Sequence, residues 1–327
     1  MDLFTHVLVA YLVTFGVFGF QPSYLAAGAL AGGLPDADAI FFPLARRFPV
    51  LRHHGITHSI FGVSVVAVGG ALLGPLLAPG SPILYFVAME AGGICHILQD
   101  GFTHFSVPPL LPFSDRRLEL DADRAINLLT LVVSVGSFYL LLGVERNHVA
   151  FGWYVLTVYV LMAFYAAYFG IRLSGRLVIG RRLKALGDFD HVVPTGNPFV
   201  WLVLSERTDQ GRQRTTWARY VFGRGIVSGP HRVEADLEPV PHAGAPASGD
   251  QALEWAYPIA RRASSVLDAT YHFGEAFAEP AGGWTAVWYS LEFTMFGRSP
   301  GVRVRFPPDG GTAEVHRAFY RPRLRAL

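Results

Sequence analysis

The chain of 327 residues is 51% hydrophobic and only 16% charged, where ordinary soluble proteins carry about 25% charged residues. Its formal net charge of +2 supplies no global basic field for nucleic acid, and a single cysteine, Cys95, excludes an intrachain disulfide framework. The apolar excess lies almost wholly before residue 174. This break predicts an α-helical polytopic membrane domain over 1–175, a basic linker over 176–190 and a small cytoplasmic α+β domain over 191–327.

The opening "MDLFTHVLVAYLVTFGVFGF" lacks the basic n-region and cleavage site of a secretory signal and reads as a retained membrane helix. About 20 mostly apolar residues are needed per span. Six segments qualify: 3–20, 24–44, 58–78, 83–105, 124–144 and 151–173. The second, "YLAAGALAGGL", has the small residues that suit close helix packing in lipid, and it runs into Pro35. Basic residues fix the orientation. Eleven of them (Arg46, Arg47, Arg52, Arg116, Arg117, Arg124, Arg172, Arg176, Arg181, Arg182 and Lys184) flank one set of ends, against Arg146 alone on the other. The positive-inside bias predicts a multi-pass protein of the cytoplasmic membrane with both termini cytoplasmic.

That topology gathers the polar residues of the spans on one side. His6 opens the first span, Asp36 and Asp38 close the second, and His53, His54 and His58 precede the third. His96, Asp100 and His104 lie in the cytoplasmic half of the fourth. At about 100° per residue, the His-x3-Asp-x3-His spacing of "HILQDGFTH" puts 96, 100 and 104 on one helix face. His54 and His58 have the same i, i+4 relation, whereas His53 would point away from His54 in a helix. A lone His6 is an ordinary interfacial residue, "PDAD" an ordinary capped turn, and "HHGITH" an ordinary interfacial loop. Ionisable groups within a span are costly, however, and usually functional. Imidazoles and carboxylates together suit zinc, with manganese as the alternative.

The candidate ligands are thus His6, Asp36, Asp38, His53 or His54, His58, His96, Asp100 and His104, with Asp36, Asp38 and Asp100 in catalytic roles. They exceed the three or four donors that one zinc takes, which points to a site of two or three ions. Glu90, deeper in the fourth span, has no assigned role.

These motifs together resemble a bacterial and archaeal family of membrane-bound metal-dependent hydrolases that includes LexA-regulated inner-membrane proteins. The residues carrying the resemblance are "FTH" (4–6), "PDAD" (35–38), "HHGITHS" (53–59), His96 with Asp100, Thr103-His104 and "LLPF" (110–113). The likeness covers about residues 1–175. His54 stands where the family has arginine, so the resemblance makes His53 the ligand, while the spacing argument favours His54. The His-x3-Asp element is more distantly similar to the zinc-dependent phospholipase C and P1 nuclease group, which implies phosphoester hydrolysis at a trinuclear zinc site.

In the tail, alternating "FVWLVLSER" (199–207), "TTWARYVFGRGIV" (215–227), "WTAVWYSLEFTMFG" (284–297) and "VRVRFP" (302–307) predict strands, and 253–277 predicts a helix interrupted at Pro258. "NPFVW" (197–201) is similar to the tails of some family members. His191, His231, His242, His272 and His316 are scattered without ligand spacing, and "RTDQGRQR" (207–214) reads as a hairpin turn. The sequence therefore leads to a metal-dependent hydrolase of a lipid or lipid-linked phosphoester, with no nucleic-acid partner. The competing readings are a divalent-metal transporter, which should line a path across the membrane, and a metal-stapled scaffold.

Overall fold

The computed structural model describes residues 1–41, 54–103, 106–124, 126–146, 151–186, 189–209, 212–236, 244–264, 267, 272–290 and 299–320. The candidate ligands His53 and His104, the basic residues Arg46, Arg47 and Arg52, and His242 lie outside them. The chain forms two compact units, Met1–Ser174 and Gly175–Leu327.

Among the described residues, six α-helices occupy the apolar half: α1 (Leu3–Phe18), α2 (Pro22–Gly33), α3 (Ile60–Leu77), α4 (Pro82–Phe102), α5 (Leu128–Arg146) and α6 (Phe151–Leu186). Three of them, α3, α4 and α6, are long and apolar enough to cross a membrane; α1 and α5 are shorter apolar helices. The expectation of six full spans is not met at α2. Gly33, Leu34 and Pro35 end that helix after 12 residues, about 18 Å of rise, and Pro35–Phe41 continues as 3-10 helix. Nor does α4 reach residue 104: Thr103 turns to extended backbone and its hydroxyl donates to Asp100 O (2.8 Å). Of the residues expected to share one face, the described ones are His96 and Asp100. In contrast α6 runs past its expected end, and most of the 176–190 linker is helix.

Caps and glycines explain the local geometry. Asp2 accepts from Thr5 N (2.9 Å) and fixes the start of α1, and Ser59 accepts from Gly62 N (3.1 Å) at the start of α3, both ordinary side-chain N-caps. A Cβ on Gly92 would come within 2.1 Å of Gly28 O, so α4 and α2 meet backbone to backbone. One on Gly32 would come within 2.4 Å of Ala10 Cβ, which seats α2 on α1 just below His6. On α3, Leu76 and Leu77 are 80% and 86% exposed, a lipid-facing wall in a chain of this composition.

A buried polar network overturns part of the loop-charge argument. Arg172 is fully buried and pairs with Asp123, so it is not an interfacial loop charge. Tyr168 donates to the same carboxylate, and Asn127 Nδ2 donates to Asp123 Oδ1 (3.0 Å) and Tyr168 Oη (2.7 Å). Glu90 is half satisfied: Ser64 Oγ on α3 donates to its Oε1 (3.0 Å), while Oε2 is buried with no hydrogen-bond partner among the described residues.

The second unit holds two four-stranded antiparallel meanders. The first comprises β1 (His191–Pro194), β2 (Val200–Asp209), β3 (Arg212–Val221) and β4 (Gly225–Asp236); the second comprises β5 (His272–Ala278), β6 (Trp284–Ser290), β7 (Ser299–Phe306) and β8 (Glu314–Tyr320). Asp209 pairs with Arg212, confirming a hairpin at 207–214. The helix expected over 253–277 is only α7 (Gly249–Ala263), and the residues after it that the structure describes from 272 onward join the sheet as β5. Pro258 is held inside α7 without ending it. Residues 215–227 prove to be parts of two strands around a turn at Gly223 and Gly225, both at positive φ. In "NPFVW", Trp201 is fully buried among Ile179, Leu183 and Tyr220, so that motif packs the core of the unit.

Candidate metal centre

The site is assembled from the ends of four segments in the first unit. α1 supplies His6, the 3-10 turn after α2 supplies Asp36 and Asp38, the 3-10 turn Ile56–His58 supplies His58, and the last two turns of α4 supply His96 and Asp100. His54 lies just before Ile56 at φ 58°, a left-handed conformation that costs a non-glycine residue energy and recurs at functional sites. The expected helical i, i+4 relation of His54 and His58 is therefore absent. They meet instead through this turn, with ring centroids 4.8 Å apart.

Two ligand groups result. His6, Asp36, His96 and Asp100 offer atoms within 4.8 Å of one another, as do His54, His58 and Asp100. Asp100 belongs to both. Its Oδ1 lies 3.1 Å from His6 Nε2, and its Oδ2 lies 3.2 Å from His96 Nε2, 3.4 Å from His58 Nε2 and 3.7 Å from His54 Nε2. Asp36 Oδ1 sits 3.7 Å from both His58 and His96 Nε2. The Met1 amino group also contacts Asp100 Oδ1.

Hydrogen bonding separates ligands from supports. His96 Nδ1 sits 2.8 Å from Gly32 O; only a protonated Nδ1 can make that bond, which leaves the Nε2 lone pair facing the cluster. Despite the short distances, His6 Nδ1 and Nε2, His96 Nε2 and Asp100 Oδ2 are buried with no hydrogen-bond partner among the described residues. Buried polar atoms are seldom left so, and a divalent cation among them would take one His6 nitrogen, His96 Nε2 and Asp100 Oδ2. The residues fit such an ion. Asp38 stands differently from its expected ligand role: it belongs to neither group, its Oδ2 lies 3.3 Å from His58 Nδ1, and it accepts from Thr57 Oγ1 (2.7 Å). A carboxylate behind a histidine orients the ring and raises its basicity. Thr57 carried no signal of its own in the sequence beyond its place in "GITHS".

Around the two 3-10 turns, burial pushes the His58 imidazole down, but Asp100, Asp36 and Asp38 outweigh it and hold it up at about 10.

The structure thus brings together His6, Asp36, Asp38, His54, His58, His96 and Asp100; His53 and His104 lie outside the described residues. His191, His231, His272 and His316 sit on β1, β4, β5 and β8 of the second unit. A family model for the YdjM inner membrane protein matches residues 1–170, more than half of the chain. The chain belongs to that family. The family match and the apolar helices place the protein in a membrane, and the match spans every residue of the cluster. No curated protein and no solved structure matches the chain.

Proposed function

We propose that the first unit is a membrane-embedded, metal-dependent hydrolase acting on a phosphoester of a lipid or lipid-linked molecule at the cytoplasmic face. The observation that carries this reading is the pair of buried ligand groups that share Asp100. A single structural zinc needs only four donors, and a scaffold has no use for a second set. Zinc suits the imidazole-rich donors best, with manganese as the alternative.

In this reading His6, Asp36 and His96 would hold one ion and His54 and His58 another, with Asp100 common to both donor sets. His104, and His53 as the alternative to His54, keep the candidate places that the sequence gives them. Two divalent ions so held supply Lewis acidity to a phosphoryl oxygen and lower the pKa of a water to about 7. The chain's own contribution is orientation. Asp38 and Gly32 O fix the His58 and His96 rings, and burial excludes bulk water from all but the Asp36 and His54 edge, whose side chains are 24% and 14% exposed.

The test is to purify the full chain in nanodiscs and measure bound metal. Hydrolysis of phosphatidylglycerol, polyprenyl phosphates and a water-soluble phosphodiester is then assayed before and after chelation and zinc or manganese repletion. Metal-dependent release of an alcohol from one of them is expected. A fully loaded protein inert on every class would leave the metal-stapled scaffold.

The finer topology, six passes with both termini cytoplasmic, rests on the basic residues at the ends of the second, fourth and sixth segments. The α2 helix with Pro35–Phe41 would make one pass, since about 18 Å of α-helix and about 14 Å of 3-10 helix approach the bilayer thickness. A reporter fused after residue 80 should be external and one after residue 115 internal. The reverse pattern would move the metal centre to the other face.

A further inference from the structure

An apolar groove runs between α2 and α3, and one end is lined by Pro35, Ile56 and Thr57, which flank the metal ligands in sequence. Two adjoining cavities of about 290 and 470 Å³ make it, sharing Leu34, Val66 and Met89. Its origin is the small-residue packing of α4. Gly92 presses against the Gly28 backbone and Met89 against Gly70, so α2 and α3 are each held to α4 and not closed on each other. Met89 and Gly93 of α4 form the floor.

The two ends differ. At one end the lining is Pro35, Ile56 and Thr57; Pro35 precedes Asp36, and Thr57 precedes His58 and donates to Asp38. Asp36 is also the most exposed member of the cluster. At the other end the lining is Ser23, Leu73, Leu77 and Ala78. From Gly62 to Leu77 the groove follows α3 for about 22 Å, more than the ~15 Å depth of one hydrocarbon leaflet. Few polar groups line it, so it has little to offer a hydrated ligand.

We propose that this groove seats one acyl chain of a glycerophospholipid whose headgroup phosphodiester lies at the His/Asp cluster. The proposal rests on the hydrolase reading and names its substrate class. Lipid tails are as apolar as the groove walls, so the chain gains no hydrophobic energy by entering from the bilayer. What the groove provides is position: it aligns the lipid so that its phosphodiester reaches Asp36 and Asp100.

The test uses the full chain in phosphatidylcholine vesicles containing phosphatidylglycerol with a photoactivatable diazirine at the end of one acyl chain. After irradiation, peptide mapping should find the label concentrated on α2 and on α3 near Leu73–Leu77. Val66→Trp, which fills the shared stretch, should lose that labelling with unchanged metal content. Val68→Trp, at a 50% exposed position outside the groove, should keep it. Val66→Trp should also lower kcat/KM for phosphatidylglycerol and leave a water-soluble phosphodiester unaffected. Label spread evenly over α1, α5 and α6, or undisturbed by Val66→Trp, overturns the proposal. Groove labelling that follows the two variants, with neither ester hydrolysed, refutes the hydrolase reading and leaves the lipid seat standing.

Discussion

Asp100→Ala should cost the protein more bound metal than any other single change. Asp100 belongs to both ligand groups, whereas His6, Asp36 and His96 serve one and His54 and His58 the other. Its removal leaves the second group with two imidazoles, short of the three or four donors that zinc takes. The second ion should be lost, and the first, left with His6, Asp36 and His96, should bind more weakly, with apparent affinity down more than about 100-fold, beyond the range for groups that merely support a ligand. His96→Ala should weaken the ion of the first group alone, so that its occupancy falls at low free zinc while the other ion is kept. Asp38→Ala leaves the ligand atoms in place and frees only the His58 ring, for a loss of about 10–100-fold. His272→Ala, on β5, should change nothing. Elemental analysis after dialysis against graded free zinc separates the four outcomes. Full retention in both Asp100→Ala and His96→Ala would refute the metal centre and the hydrolase with it.

How far the site was legible follows from where each residue sits. His96 and Asp100 share regular helix, so four-residue spacing identifies them directly. Asp36 and Asp38 sit on a 3-10 turn after Pro35, where neighbouring side chains diverge. The sequence shows two carboxylates in "PDAD" but not that one faces the ligand groups while the other backs His58. His54 reaches the cluster through a left-handed turn that no helical argument contains, and the resemblance pointed to its neighbour. In the tail, aromatic and β-branched alternation marks strands, but "HFGEAF" (272–277) follows a helical stretch and reads as part of it. Partners in β5 and β6, not local propensity, decide those residues.

The least legible feature carries the other large effect. Asp123 and Arg172 are 49 residues apart, and the arginine, at the end of an apolar segment, looks like a loop charge. Both are fully buried. Asp123 also accepts from Tyr168 and Asn127, and its residue bridges to Thr103, three places after Asp100. The network thus ties α6 to the end of α4 that carries the metal ligand. Breaking a buried pair leaves an uncompensated charge, at a cost of about 3–5 kcal/mol. Arg172→Met should therefore destabilise the protein by that amount, and Asp123→Ala by at least as much, because Tyr168 and Asn127 lose their acceptor too. The double variant should cost clearly less than the two changes added, since neither charge is stranded. Denaturant unfolding in mixed micelles, run as a double-mutant cycle, measures each term. If Arg172→Met alone is as stable as the parent, the pair contributes nothing and Arg172 returns to the count of interfacial charges that orient the chain.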